Sequence, residues 1–311
     1  MEAAYVSGVG IRRIQRSHST LRAVGSPRIT FPEALFHSCH GVTPFPVQHD
    51  LVDHPLFDIE RLASLAASLP AHRVEWNAGD LPASVRRDDV RSNGLSAVET
   101  LRSIHRCGSW IVLKHVQLDR DYARLLHECL SPIQAALGVQ GLSLSRPVGF
   151  IFVSSPGATT PCHLDPESNF LLQVRGTKSI STLPRLDPRF VLLEELERFT
   201  VGGDRHVQLE DSALAEAVGH ELSPGDGLHV PIHAPHFVVN GPAVSVSFSL
   251  TFQTEATDRE RGVLWMNHRL RSLGLEPTPP GTSNALDLAK LTLFKGLRSA
   301  RRVLRRNPPP S

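Results

Sequence analysis

The stretch TTPCHLDPESNFLLQVRGTKSISTLP (159–184) decides the fold, and PGDGLHVPIHAPHFVVNGPAVSVSFSLTF (224–252) completes it. In the first, NFLLQV (169–174) and KSISTL (178–183) are short strand-like runs joined across a tight turn at Gly176. The second contains GLHV (227–230), HFVV (236–239) and AVSVSFSLTF (243–252). Its last run alternates with period two: Val244, Val246, Phe248, Leu250 and Phe252 face one side, Ser245, Ser247, Ser249 and Thr251 the other. VGFIFVSS (148–155) and HVQL (206–209) have the same character. Many short strands between Gly or Pro turns, without alternating helices, predict an antiparallel sandwich or barrel.

Outward from this β region the pattern is helical. Residues 56–69 place Ile59, Leu62, Leu65 and Leu69 on one face and stop at Pro70. A second helix, 96–107, opens on the capping pair Ser96 and Glu99. WIVLKHV (110–116) reads as a buried strand, and a third helix runs over 121–137 to Gly138. Beyond the barrel, helical patterns return at 258–272 and 284–306, joined by PTPPGTS (277–283). In the last of these, Leu286, Leu293, Leu297 and Leu304 form an apolar stripe that must be buried, on the chain's own barrel or on a second copy.

With 311 residues and 41% hydrophobic content the chain can bury a sizeable core. No apolar run is long enough for a membrane span, so no membrane is expected as a partner. The N-terminus lacks a secretory h-region, although its Arg- and Ser-rich composition resembles an organellar transit peptide. Cys39, Cys107, Cys129 and Cys162 form no CxxC pair, which fits a reducing, cytoplasmic setting. The formal charge of +2 is unevenly spread. Residues 1–30 carry five Arg against one Glu, residues 290–306 carry two Lys and five Arg without an acid, and the body between is acidic. The basic ends read as solvated faces; a nucleic-acid arm would need an interleaved aromatic stacking platform, which is lacking there. No phosphate-cradling glycine motif and no internal repeat occurs.

The chemistry sits in HLD (163–165). If this segment is a strand, residues i and i+2 share a face, so His163 and Asp165 converge. A third ligand is available downstream as His229, His233 or His236. Two imidazoles and one carboxylate form the facial triad of non-haem iron(II) sites, which leaves positions open for cosubstrate and oxygen. His37, Cys39 and His40 lack a second ligand pair at zinc spacing, and His49 and His54 lack a partner motif.

Over residues 145–253 the two stretches resemble the JmjC/cupin-type iron(II)- and 2-oxoglutarate-dependent oxygenases, particularly the small JmjC protein hydroxylases. The resemblance is weaker over 45–145 and absent over 1–40. It implies a double-stranded β-helix: a mainly β chain, with a jelly-roll or cupin barrel, N-terminal helices and a C-terminal helical region. It implies Fe(II) held by His163, Asp165 and His236, which favours His236 over His233 and His229. Lys178 and Thr160 match the positions that hold the far carboxylate of 2-oxoglutarate, and Asn169 matches a pocket-lining asparagine. A dicarboxylate in an apolar barrel needs such a compensating cation. Many relatives add a pocket tyrosine, but this chain has only Tyr5 and Tyr122, which leaves Ser247 or Ser249 as substitutes.

The expected organisation is a poorly ordered basic segment (1–40), an oxygenase domain (41–256, barrel about 145–253) and a helical region with a basic tail (257–311). The expected activity is hydroxylation of a protein or peptide side chain, or of a small metabolite, with decarboxylation of 2-oxoglutarate to succinate. The resemblance also implies a homodimer through the C-terminal helices. The competing reading is a catalytically silent cupin-like module that docks a partner or nucleic acid through its basic ends.

Overall fold

The computed structural model describes residues 28–79 and 92–306, with side chains to 299, and the backbone of 10–13. The strands among the described residues are, in chain order, β1 (Gly10–Arg13), β2 (Ile29–Thr30), β3 (Phe45–His49), β4 (Val74–Ala78), β5 (Ser109–Lys114), β6 (Leu144–Ser154), β7 (Thr159–His163), β8 (Ser168–Arg175), β9 (Lys178–Thr182), β10 (Val218–Leu222), β11 (Asp226–Val230), β12 (His236–Asn240) and β13 (Ser245–Thr254). The helices are α1 (Glu33–Cys39), α2 (Ile59–Ser68), α3 (Ala97–Arg102), α4 (Arg120–Val139), α5 (Leu193–Thr200), α6 (Asp211–Leu214), α7 (Glu255–Arg271) and α8 (Asn284–Arg306).

From β6 onward the chain winds between two sheets. One carries the order β11-β8-β13-β6, the other β10-β9-β12-β7. Successive strands alternate between the sheets, except that β9 and β10 pair antiparallel in the same sheet. That winding is a double-stranded β-helix. β3 and β2 extend the first sheet beyond β11, β5 and β4 extend it beyond β6, and β1 adds parallel to β10 in the second.

The alternation in β13 explains its double burial. Val246, Phe248, Leu250 and Phe252 pack outward with Phe170 and Leu172 of β8 into the main core, shared with Leu62 and Leu65 of α2 and Leu125, Leu126 and Ile133 of α4. The serine face turns into the barrel, so every residue of β13 is buried. The lumen is filled at mid-depth by Leu171, Ile180, Leu222, Leu228, Val230, Ala234 and Val238. At its closed end Gln173, fully buried, donates to the Arg175 and Gly176 carbonyls (2.7 and 3.0 Å) and to Ser245 Oγ (3.0 Å). Its Oε1 accepts from Ser247 Oγ (2.6 Å). Gln173→Leu strands two carbonyls and two hydroxyls in a dry interior, and should cost about 2–4 kcal/mol in urea denaturation; an unchanged midpoint would mean the network contributes nothing.

Several elements depart from the sequence reading. Glu33–Cys39 is a helix with Phe36 fully buried, although it lies in the stretch read as poorly ordered. The basic composition of 1–30 masked this apolar anchor; residues 1–9 and 14–27 lie outside the described residues. HVQL (206–209) forms only an isolated bridge, His206 with His163. β3, β4 and β10 were not anticipated, being short and polar enough to lack a run, and β7 was expected only as the strand that carries HLD. Helix 284–306 is present, but it buries a different face. Asp287, Lys290 and Leu291 are buried, and Phe294 meets Trp265 of α7 at 5.2 Å, while Leu286, Leu293 and Leu297 stay exposed. Gly262 permits this seating: a Cβ there would lie 2.7 Å from Leu291, which packs into the gap. This C-terminal unit comprises Leu186–Arg205 and Thr254–Ser311, larger than the region read from sequence. Within it Arg271 pairs with Glu197, fully buried, at 3.0 Å and with Glu194 at 3.1 Å.

Candidate metal centre

His163 ends β7 and His236 opens β12, and the two residues face each other in the ladder between those strands. Asp165 is not on a strand, contrary to the expectation. Two residues past the end of β7, it turns back because the His233 N–H donates to its carbonyl (3.0 Å). His233 holds that bond from a left-handed conformation (φ 61°), strained for a non-glycine residue. Loop geometry therefore brings the carboxylate to the imidazoles.

His163 Nε2 lies 3.9 Å from Asp165 Oδ1, and His236 Nε2 lies 3.6 Å from Asp165 Oδ2. One ligand atom from each residue lies within 4.8 Å of the others, the only such metal-capable group among the described residues. Each ring is oriented from behind. His163 Nδ1 donates to the Pro161 carbonyl (2.8 Å), and His236 Nδ1 to that of Ala234 (2.9 Å). A carbonyl can only accept, so Nδ1 carries the proton and both Nε2 lone pairs turn toward the carboxylate. Three acceptors aimed at one point need a shared cation. Ligands about 2.1 Å from one ion at right angles would be about 3 Å apart, within a small inward movement of these positions. The residues fit a divalent metal.

His233 is not part of this cluster, and the other histidines are engaged elsewhere. His229 accepts from the Gly41 N–H at Nε2 (3.2 Å) and donates from Nδ1 to the Asn169 carbonyl (3.0 Å). Burial, with His40 beside it, pushes its pKa well below the ordinary value, so it is a neutral structural histidine. His40 stacks on His229 at 5.0 Å and is lowered by burial to about 4. His49, also about 4 through burial, hydrogen-bonds the Gln173 carbonyl (2.9 Å). The Cys162 thiol is pushed up to about 12 by burial and is a packed core group. His233→Ala should keep Mn(II) binding; His229→Leu should also keep it, while losing about 2–3 kcal/mol of stability through two stranded backbone partners. Loss of metal in His233→Ala at unchanged fold would move the third ligand there.

The other sequence-derived residues line the same lumen. β7 and β12 slip register between His236 and Val238, so Thr160 sits opposite Val238 and turns inward despite lying three residues from His163. Asn169 is buried with Oδ1 accepting from Ser249 Oγ (2.7 Å). Ser247 and Ser249 thus both point inward and donate to side-chain amides. Lys178 is 4% exposed, and no acidic side chain among the described residues pairs with it. Burial alone lowers it to about 7. Sequence reasoning missed Asn240, four residues beyond His236 on the same strand face, and the Thr182–His220 contact (3.3 Å) beside it. Even spacing from His236 was the available signal for Asn240.

No family model and no curated protein matches the chain. Among solved structures it is similar to Escherichia coli YcfD, at 16% identity and TM-score 0.47, covering 91% of this chain and 70% of that one. Structures described as YcfD, a ribosomal oxygenase, in complex with cobalt and 2-oxoglutarate (16%, 0.47) or cobalt and succinic acid (15%, 0.45) cover 91% of this chain and 69% of those. Likeness this distant assigns no residue and no substrate to the present chain.

Proposed function

We propose that this protein is an iron(II)- and 2-oxoglutarate-dependent oxygenase that hydroxylates a protein or peptide side chain, with a small metabolite as the second choice of substrate. The observation that carries this reading is the pairing, in one double-stranded β-helix, of a His163–Asp165–His236 acceptor cluster with a buried, uncompensated lysine on the lumen wall. When bound, the iron supplies the redox chemistry that couples decarboxylation of 2-oxoglutarate to insertion of oxygen into a C–H bond.

The chain's own residues bind and orient. His163, Asp165 and His236 hold the metal from one side, leaving the opposite side for ligands. Lys178 Nζ, with the Thr160 hydroxyl, takes the far carboxylate of the cosubstrate. Asn169, held by Ser249, presents its amide to the pocket wall. Leu171, Ile180, Leu228 and Val238 keep water from the space between. The described residues contain no helix long and apolar enough to cross a membrane, and all four cysteines are free thiols; we place the protein in the cytoplasm. The exposed Leu286, Leu293 and Leu297 support a homodimer through α8. Leu293→Glu with Leu297→Glu should then give a monomer by light scattering.

The test is turnover of 2-oxoglutarate to succinate by the full chain with Fe(II) and ascorbate, without added prime substrate. Enzymes of this type leak uncoupled turnover, so succinate should form and depend on Asp165. Metal binding with no succinate formation would favour the silent cupin-like module instead.

A further inference from the structure

We infer that Asn240 is the positioning residue of the buried carboxylate subsite: its side-chain oxygen is placed to accept from the Lys178 ammonium without neutralising it. The inference rests on the reading that Lys178 receives the cosubstrate's far carboxylate.

Lys178 and Asn240 are directly opposite in the β9–β12 ladder. Opposed residues share a face, with Cβ atoms about 5 Å apart. That face is the lumen, because Ile180 and Val238, two residues along each strand and also opposed, belong to the lumen cluster. The strands cannot drift apart here. The Gly241 N–H donates to the Thr177 carbonyl (2.8 Å), and a Cβ on Gly241 would lie 2.1 Å from Thr177 Oγ1.

The orientation of the Asn240 side chain is fixed by its donors. Its backbone N–H (3.0 Å) and its Nδ2 (2.6 Å) both donate to the Ala158 carbonyl. The amide nitrogen is thus committed to the residue just before β7, and Oδ1 must point the other way. Oδ1 is buried and accepts no hydrogen bond among the described residues, in a residue 5% exposed. An orphaned acceptor and an unpaired buried ammonium, opposed on one face and within reach of a lysine stem, complete each other. A neutral acceptor matters as much as its position. An aspartate in this place would form an ion pair and consume the charge that the ligand's carboxylate needs. Asparagine steers the ammonium and leaves its charge available.

The test uses the full chain loaded with Mn(II) and two probes, read by calorimetry: 2-oxoglutarate, and oxalate, which chelates metal but has no far carboxylate. Asn240→Leu and Asn240→Asp should each weaken 2-oxoglutarate about tenfold or more, while oxalate affinity stays within about twofold. Lys178→Met is the control for the underlying reading. If it binds 2-oxoglutarate like wild type, that reading falls and this inference with it. If Lys178→Met loses affinity while both Asn240 variants keep it, only the role of Asn240 is overturned. Equal weakening of both probes in the Asn240 variants also overturns it, since that is the mark of a general structural defect. Thermal melts of both variants establish that they are folded, and either one suffices for the comparison.

Discussion

Asp165→Ala is expected to abolish one-to-one binding of Mn(II), weakening it at least about a hundredfold, and to remove succinate formation altogether. The size of the effect follows from the geometry. Asp165 is the only anion of the triad and faces both imidazoles, at 3.6 and 3.9 Å. Without it, two neutral nitrogens remain to hold a divalent ion. The fold should survive, because the bond that shapes the loop uses the Asp165 carbonyl and the His233 N–H, which alanine retains. His163→Ala should lose metal comparably. Electron paramagnetic resonance of Mn(II) titrated into wild type and both variants reads this directly. Wild-type affinity in both would sink the metal assignment.

Lys178→Met should have two opposite effects. Binding of 2-oxoglutarate should weaken about tenfold or more, since a charge-assisted contact contributes roughly 1.5–3 kcal/mol. The ligand-free protein should become more stable. In the fold the lysine is lowered by burial from about 10.5 to about 7, so charging it is disfavoured there. Below pH 7 the lysine is protonated in both folded and unfolded chains, and the folded state bears the full penalty, on the order of 5 kcal/mol before relaxation. Between pH 7 and 10.5 the unfolded chain binds more protons, so wild-type stability from this group rises with pH. The gain from Lys178→Met should therefore be largest at pH 6–7 and small near pH 10.5. Urea denaturation at the two pH values checks this; a gain that does not change with pH would show that the lysine finds an anionic partner.

The sequence by itself determined an antiparallel barrel of short strands and narrowed the candidate ligands to His163, Asp165 and one of three histidines. Period-two alternation in 243–252, short runs between Gly and Pro turns, and HLD followed by a distant histidine-rich turn are local signals, because strand geometry repeats every two residues. It also supplied the family resemblance that singles out Lys178, Thr160 and Asn169. Only the tertiary structure groups His236, of the three histidines of 224–241, with His163 and Asp165. His229 is spent on Gly41 and Asn169, partners 188 and 60 residues away. The route of Asp165 to the site was likewise not legible, since it comes from a loop tie to His233 and not from strand alternation. Thr160 turns inward through a register slip against β12, a property of the strand pair and of neither sequence alone. The same holds for α8, whose leucine stripe satisfied the helical period, yet the face that packs fits the gap left by the missing side chain at Gly262 on another helix. Asn240 was silent for a related reason. Its meaning lies in what it faces, Lys178 across the ladder and Ala158 behind it, and such pairings exist only once three strands from distant parts of the chain have been brought side by side.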